Sequence, residues 1–98
     1  MSLPVVLLAS AEADLADARE WYRQNGPDLE NEFAASVHET LERIRLNPTA
    51  YESEGPFRRA FLHRFPYRIV YRATAAQIAV VAVLHTGRDP RVWQDRDH

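Results

Sequence analysis

Apolar residues change their spacing twice along this chain, and the changes divide it into elements. Leu3 to Leu8 is a short, nearly continuous apolar run with Pro4 close to its start, which predicts a first strand. Ala11, Leu15, Ala18 and Tyr22 then recur at helical intervals. Ser10 offers an N-cap hydroxyl to that helix, Glu12 and Asp14 put negative charge in its first turn, and Asn25-Gly26 supplies a stop. Pro27 suits the first turn of a second helix, in which Leu29, Phe33, Val37, Leu41 and Ile44 follow at spacings of four, four, four and three. That helix should end at Leu46 or Asn47, because Pro48 pushes the residue before it out of the α region. So few residues separate the two helices that they must form an antiparallel hairpin.

Asn47 to Phe57 carries two prolines and a glycine and is expected to be loop, after which period two takes over. Arg58, Ala60, Leu62 and Arg64 alternate with Arg59, Phe61, His63 and Phe65, a strand that should pass through a turn or bulge at Pro66 into a central strand ending at Arg72. In the central strand Tyr67, Ile69 and Tyr71 share one face, while Arg68, Val70 and Arg72 share the other, which is expected to look outward. Residues 73–77 form a hairpin loop of ordinary length, and Ile78 to Leu84 is an unbroken apolar run that predicts a strand buried on both faces. Thr86-Gly87 ends the sheet, and Asp89-Pro90 opens a last turn containing Trp93. The expected fold is α+β: a helical hairpin on a mainly antiparallel four-stranded sheet, order β-α-α-β-β-β with a short C-terminal helical tail, in one domain spanning residues 1–98.

Composition sharpens this picture at two points. Cysteine is absent, which excludes thiol nucleophiles and cysteine-based zinc sites, and no apolar stretch reaches the ~18 residues of a membrane span. Without a leader pattern at its start, the chain is expected to be cytoplasmic. The net charge of −2 conceals a division: residues 1–50 hold nine acids and four arginines, residues 51–98 five acids and eight arginines. Every Lys/Arg position is Arg, the side chain whose planar fork grips carboxylate and phosphate.

Nucleotide-binding glycine loops, zinc-protease helices and serine-hydrolase elbows are all missing from the sequence, and no metal or cofactor is expected. His63 shares a strand face with Phe61 and Phe65, where a hydrogen-bonded boundary histidine is the ordinary outcome. His85 ends the buried strand just before Thr86, Gly87 and Arg88, where polar groups can converge, although capping of the strand end would explain it equally. A metal-free ribonuclease needs a base, an acid and cations on the phosphate, and His85, Tyr71, Arg68 and Arg88 are the candidates.

Several of these features occur together in one known group. Trp21-Tyr22 and Phe33 in the helices, the Arg58-Arg59 pair, the stretch Phe65-Pro66-Tyr67-Arg68-Ile69-Val70-Tyr71, and the ending His85-Thr86-Gly87-Arg88-Asp89-Pro90 with Trp93 and Arg96 resemble the RelE/ParE superfamily of toxins of type II toxin–antitoxin systems. The resemblance covers about residues 5–96 and implies a small bacterial toxin held in a hetero-oligomer by a cognate antitoxin, with either the ribosome or DNA gyrase as target. The RelE-like branch cleaves mRNA on the ribosome using several basic residues, Lys among them, and a tyrosine near the C-terminus. This chain has no Lys and no tyrosine after Tyr71, so that active site does not carry over residue by residue. The His-x-x-Arg-Asp-Pro-x-x-Trp pattern at His85 to Trp93 looks like the plasmid-stabilisation, ParE-like branch. On that branch Arg68, Arg88, Trp93 and Arg96 would bind the target and Trp21, Arg58 and Arg59 the antitoxin. A ribosome-dependent endoribonuclease and a degenerate toxin that keeps only antitoxin binding stay open beside it.

Overall fold

A computed structural model describes residues 2–87 of the chain. The expected helical tail, with Asp89 and Pro90, and the candidate residues Arg88, Trp93 and Arg96 lie outside the described residues. The elements run β1 (Val5–Leu7), α1 (Ala9–Asn25), α2 (Pro27–Leu46), β2 (Ser53–Glu54), β3 (Phe57–Phe61), β4 (Tyr67–Ala73) and β5 (Ile78–His85). The fold is α+β, as the periodicity predicts, with five strands in place of four, in the order β1-β5-β4-β3-β2. β1 pairs parallel to β5 and the remaining neighbours are antiparallel. The added strand, β2, lies inside the segment expected to be loop; it is two residues long and pairs with the start of β3. Nor does β3 continue to Phe65: it stops at Phe61, and residues 62–66 turn the chain back into β4, with Arg64 at φ 74°.

Both helices obey their stripes. Ala11, Ala18 and Tyr22 of α1 and Phe33, Val37 and Ile44 of α2 are buried against Ala60, Ile69, Tyr71, Ile78, Val80 and Val83 of the sheet. Leu29 is the exception and stays exposed at the turn end of the hairpin, beside Gly26. Gly26 is the only residue between the helices; its φ of 143° lies in the region that favours glycine, and Pro27 sits at the first position of α2. Arg23 of α1 grips Glu30 of α2 with two hydrogen bonds, Nε to Oε1 at 3.1 Å and Nη2 to Oε2 at 2.8 Å. The Arg23 hydrogen bond is the first cause holding the Glu30 carboxyl below its usual range.

The second sheet face corrects the expectation for the central strand. Arg68 and Val70 are buried and Arg72 is half-buried, because that face carries an apolar cluster of its own: Phe57, Val70, Val81, Ala82 and Leu84. Reading alternation as wet on one side fails for a central strand flanked on both sides. A bulge contributes as well. Val70 pairs with Ala82 and Tyr71 with Val80, so Val81 is an extra residue on β5 and the facing of the strand shifts at that point.

Ser10 is not the N-cap of α1. Leu8 occupies that position, and the Ser10 hydroxyl donates to the Val81 carbonyl at 2.8 Å. Four residues later Asp14, also buried, accepts the Val83 N–H at 3.1 Å. Two side chains of α1 thereby meet backbone groups of β5 beyond the end of β1.

Phe33 is fully buried between Tyr22, Phe65 and Tyr67. Phe33→Ala should cost about 3–5 kcal/mol, a large share of a typical stability of about 5–15 kcal/mol, and chemical denaturation measures it. Asp14→Ala strands the Val83 N–H and should cost about 1–3 kcal/mol, while Asp14→Asn, which keeps an acceptor oxygen, should lose less. Equal midpoints for Asp14→Ala and the parent would refute this role.

Candidate functional site

At one end of the sheet the last turn of α1 stands over the start of β4 and the end of β5. The local sequence explains the convergence. Tyr22 lies on the buried stripe of α1 and Trp21 falls beside it, so docking the helix leaves Trp21 at the rim with 56% of its surface exposed. Tyr67, the first residue of β4, is the register partner of His85, the last residue of β5. Between these side chains opens a cleft of about 520 Å³ lined by Trp21, Tyr22, Pro66, Tyr67, His85 and Gly87.

Its walls are rings on a rigid base. Tyr22 stacks on Phe33 with centroids 4.9 Å apart and meets Phe65 edge-on at 5.2 Å, and Phe33 meets Tyr67 at 5.2 Å. Trp21 stands edge-on to Tyr22 at 5.0 Å, and His85 edge-on to Tyr67 at 5.4 Å. Burial, then the neighbouring Tyr67, raises the Tyr22 phenol above its ordinary range. His85 Nδ1 accepts the Gly87 N–H at 3.2 Å, so in the neutral ring the proton sits on Nε2. A second recess of about 140 Å³ adjoins the first, sharing Trp21 and Tyr67 and adding Asp14, Asp17, Ala18 and Val83.

The remaining candidates do not gather around His85. Tyr71 is fully buried on the helix side of β4, its hydroxyl donates to the Pro48 carbonyl at 2.6 Å, and burial pushes its phenol up to about 12. It lies four residues beyond Tyr67 along β4, roughly 13 Å at ~3.3 Å per residue. Arg68 lies on the opposite face with 6% of its surface exposed; its Nε and Nη2 are buried without a hydrogen-bond partner. Desolvation, reinforced by the charge of Arg59, lowers its guanidinium from the ordinary value. Arg58 and Arg59 are half-buried and engaged: Arg58 donates to the Tyr51 carbonyl at 2.7 Å, and Arg59 pairs with Glu52 and Glu54. His63, expected at a boundary with Phe61 and Phe65, is exposed with Phe61, and its Nε2 lies 3.3 Å from Arg43.

Among the described residues no group of three or more His, Asp or Glu side chains could hold a metal ion, and no helix is long and apolar enough to cross a membrane. Sequence reasoning singled out Trp21 and His85 but did not join them. Tyr67 and Pro66, which link the two, were legible as strand residues, and only the antiparallel register of β4 on β5 sets Tyr67 beside His85.

Comparison with known proteins bears on these features as follows. A family model described as the ParE toxin of the type II toxin–antitoxin system, parDE, matches residues 5–90. Among solved structures, a chain of the chromosomal ParDE TA system from P. aeruginosa superimposes with a TM-score of 0.73 at 18% identity, over 85% of this chain and 95% of that one. At that identity the likeness concerns the fold. No curated protein matches in sequence.

Burial strips water from the Arg68 guanidinium, two of whose nitrogens have no hydrogen-bond partner among the described residues, and the charge of Glu54 offsets only part of that cost. Arg68→Met should therefore melt at the same temperature as the parent or higher. A drop of several degrees in a calorimetric scan would show that the guanidinium has a stabilising partner.

Proposed function

From the membership of this chain in the ParE toxin family of type II toxin–antitoxin systems, we propose that it is held inactive in a hetero-oligomer by a cognate antitoxin and that, once free in the cytoplasm, it arrests growth by binding DNA gyrase. The antitoxin half draws support from Trp21. A large aromatic left half in solvent beside a cleft that it shares with Tyr22, Tyr67 and His85 has the character of an interface anchor. Arg58 and Arg59 have partners within the chain, so they support an antitoxin contact less directly.

The observation that carries binding over catalysis is the dispersal of the nuclease set. Acid–base cleavage of RNA asks for titratable groups within hydrogen-bond reach of one reacting phosphate, and cations beside them. Tyr71 and Arg68 are buried on opposite faces of β4, and the Tyr71 proton is both committed to Pro48 and hard to remove. His85 is exposed, yet its Nδ1 is occupied by the Gly87 amide, which suits a residue that shapes the strand end. Arg88, Trp93 and Arg96 remain the residues assigned to the target in this reading, whereas Arg68, buried on the second sheet face, does not present its guanidinium to a target.

Growth arrest on induction, scored together with cleaved DNA and with mRNA ends at the ribosomal A site, tests it. Induction of the parent should accumulate DNA breaks. His85→Gln keeps a hydrogen-bonding side chain without a proton shuttle near neutral pH and should retain most toxicity. Loss of toxicity in a folded His85→Gln protein, with mRNA ends appearing in the parent, would establish the ribosome-dependent endoribonuclease instead. A parent that binds its antitoxin but arrests nothing is the degenerate toxin.

A further inference from the structure

We propose that the cleft between Trp21 and Tyr67 receives a cationic side chain, arginine or lysine, from the antitoxin, with Asp17 as its counter-ion; the proposal rests on the antitoxin reading above. Three features of the cleft converge on positive charge. Trp21, Tyr22 and Tyr67 line it with aromatic rings, a kind of surface that attracts cations, and Trp21 keeps 56% of its surface exposed. Asp17 lies four residues before Trp21 and therefore on the same flank of α1, where it lines the adjoining recess together with Asp14, Trp21 and Tyr67. Asp17 is exposed and, among the described residues, makes no hydrogen bond or ion pair, so its carboxylate is available to an incoming partner. Lastly, Trp21 and Tyr22 stand in the last turns of α1, the end of the helix that carries partial negative charge.

The arginines of α1 do not compensate these charges. Arg19 and Arg23 both turn toward α2, where Glu30 holds Arg19 at 3.4 Å and Arg23 at 2.8 Å, and Arg23 is further tied to Glu20. The one basic side chain among the described residues of the cleft wall, His85, is turned with its Nδ1 to the Gly87 amide. Other occupants fit less well. A carboxylate or phosphate would meet Asp14, Asp17 and the helix C-terminus. A purely aliphatic side chain would fill the volume but leave Asp17 buried beneath it without a counter-charge. The long methylene stem of arginine or lysine packs on the rings while its head reaches Asp17.

Isothermal titration of the toxin with the product of the adjacent reading frame tests this, each lysine and arginine of that product being changed in turn to methionine. One such change should weaken binding on the order of tenfold. Trp21→Leu and Asp17→Asn in the toxin should each weaken it comparably, and the critical methionine variant should lose nothing further against Asp17→Asn. Because Trp21 and Asp17 are both exposed, melting temperatures of the two toxin variants should match the parent, which separates lost contact from lost fold. If the antitoxin binds tightly and every methionine variant binds parent and Asp17→Asn alike, the cationic occupant is wrong although the antitoxin reading stands. If the parent toxin binds no product of the adjacent frame, both fall.

Discussion

Strand β1 offers β5 three residues of parallel pairing, and β5 is eight residues long, so its outer edge beyond Val80 would face water with unpaired backbone groups. How that edge is covered governs the rest of the domain. The last pairing contact is the Leu8 amide on the Val80 carbonyl, and helix α1 begins at once with Ala9. Ser10 then binds the Val81 carbonyl and Asp14 the Val83 amide, so two side chains one turn apart continue the ladder that the strand abandons. A helix tied to a strand edge at two points has little freedom to rotate. Its stripe of Ala11, Ala18 and Tyr22 is thereby aimed at the sheet, Ala18 allows close approach, and Tyr22 arrives over Phe33, Phe65 and Tyr67.

The same tether positions the cleft. Trp21 is exposed because its neighbour Tyr22 must be buried, and Tyr67 and His85 lie opposite because the β4–β5 register pairs them at the end of the sheet. The aromatic cluster beneath contains side chains from α1, α2, the 62–66 turn and β4, so every element that forms the cleft is packed into the main core. Such a surface needs little rearrangement on binding, which keeps the ordering cost of recognition low.

Sequence periodicity revealed the helices, the hairpin and the buried character of β5, because each rests on a long repeat that a few exceptions cannot erase. It failed where a residue answers to a distant backbone group. Ser10 and Asp14 look like ordinary start signals for a helix, and nothing in their neighbourhood reveals that β5, nearly seventy positions on, requires a donor and an acceptor there. Alternation with arginine predicts an outward Arg68, whereas the second face of β4 belongs to an apolar cluster with Phe57, Val70, Val81, Ala82 and Leu84. The bulge at Val81 left no mark in a run of apolar residues that are all compatible with either face, and β2 is too short for any period to register. For the site, Trp21 was legible as an aromatic beside the stripe, but its pairing with Tyr67 and His85 depends on strand register and could not be read locally.

The division of charge along the chain, acidic first half and basic second half, suggested two opposed patches, and the folded protein uses most of it differently. Arginine forks are consumed locally: Arg23 on Glu30, Arg45 on Glu42, Arg58 on the carbonyls of Thr49 and Tyr51, Arg59 on Glu52 and Glu54. A planar guanidinium with several donors is suited to such clasps, and each one removes a cation from the pool that could greet a partner. Meanwhile the acids of α1 divide into those held by arginines, such as Glu20, those turned to the backbone, such as Asp14, and Asp17, which has no partner among the described residues. Uncommitted charge beside uncommitted aromatic surface is where a folded chain has interaction free energy left to give. In the described part of this protein the two coincide along one flank of α1, between Asp17 and Trp21.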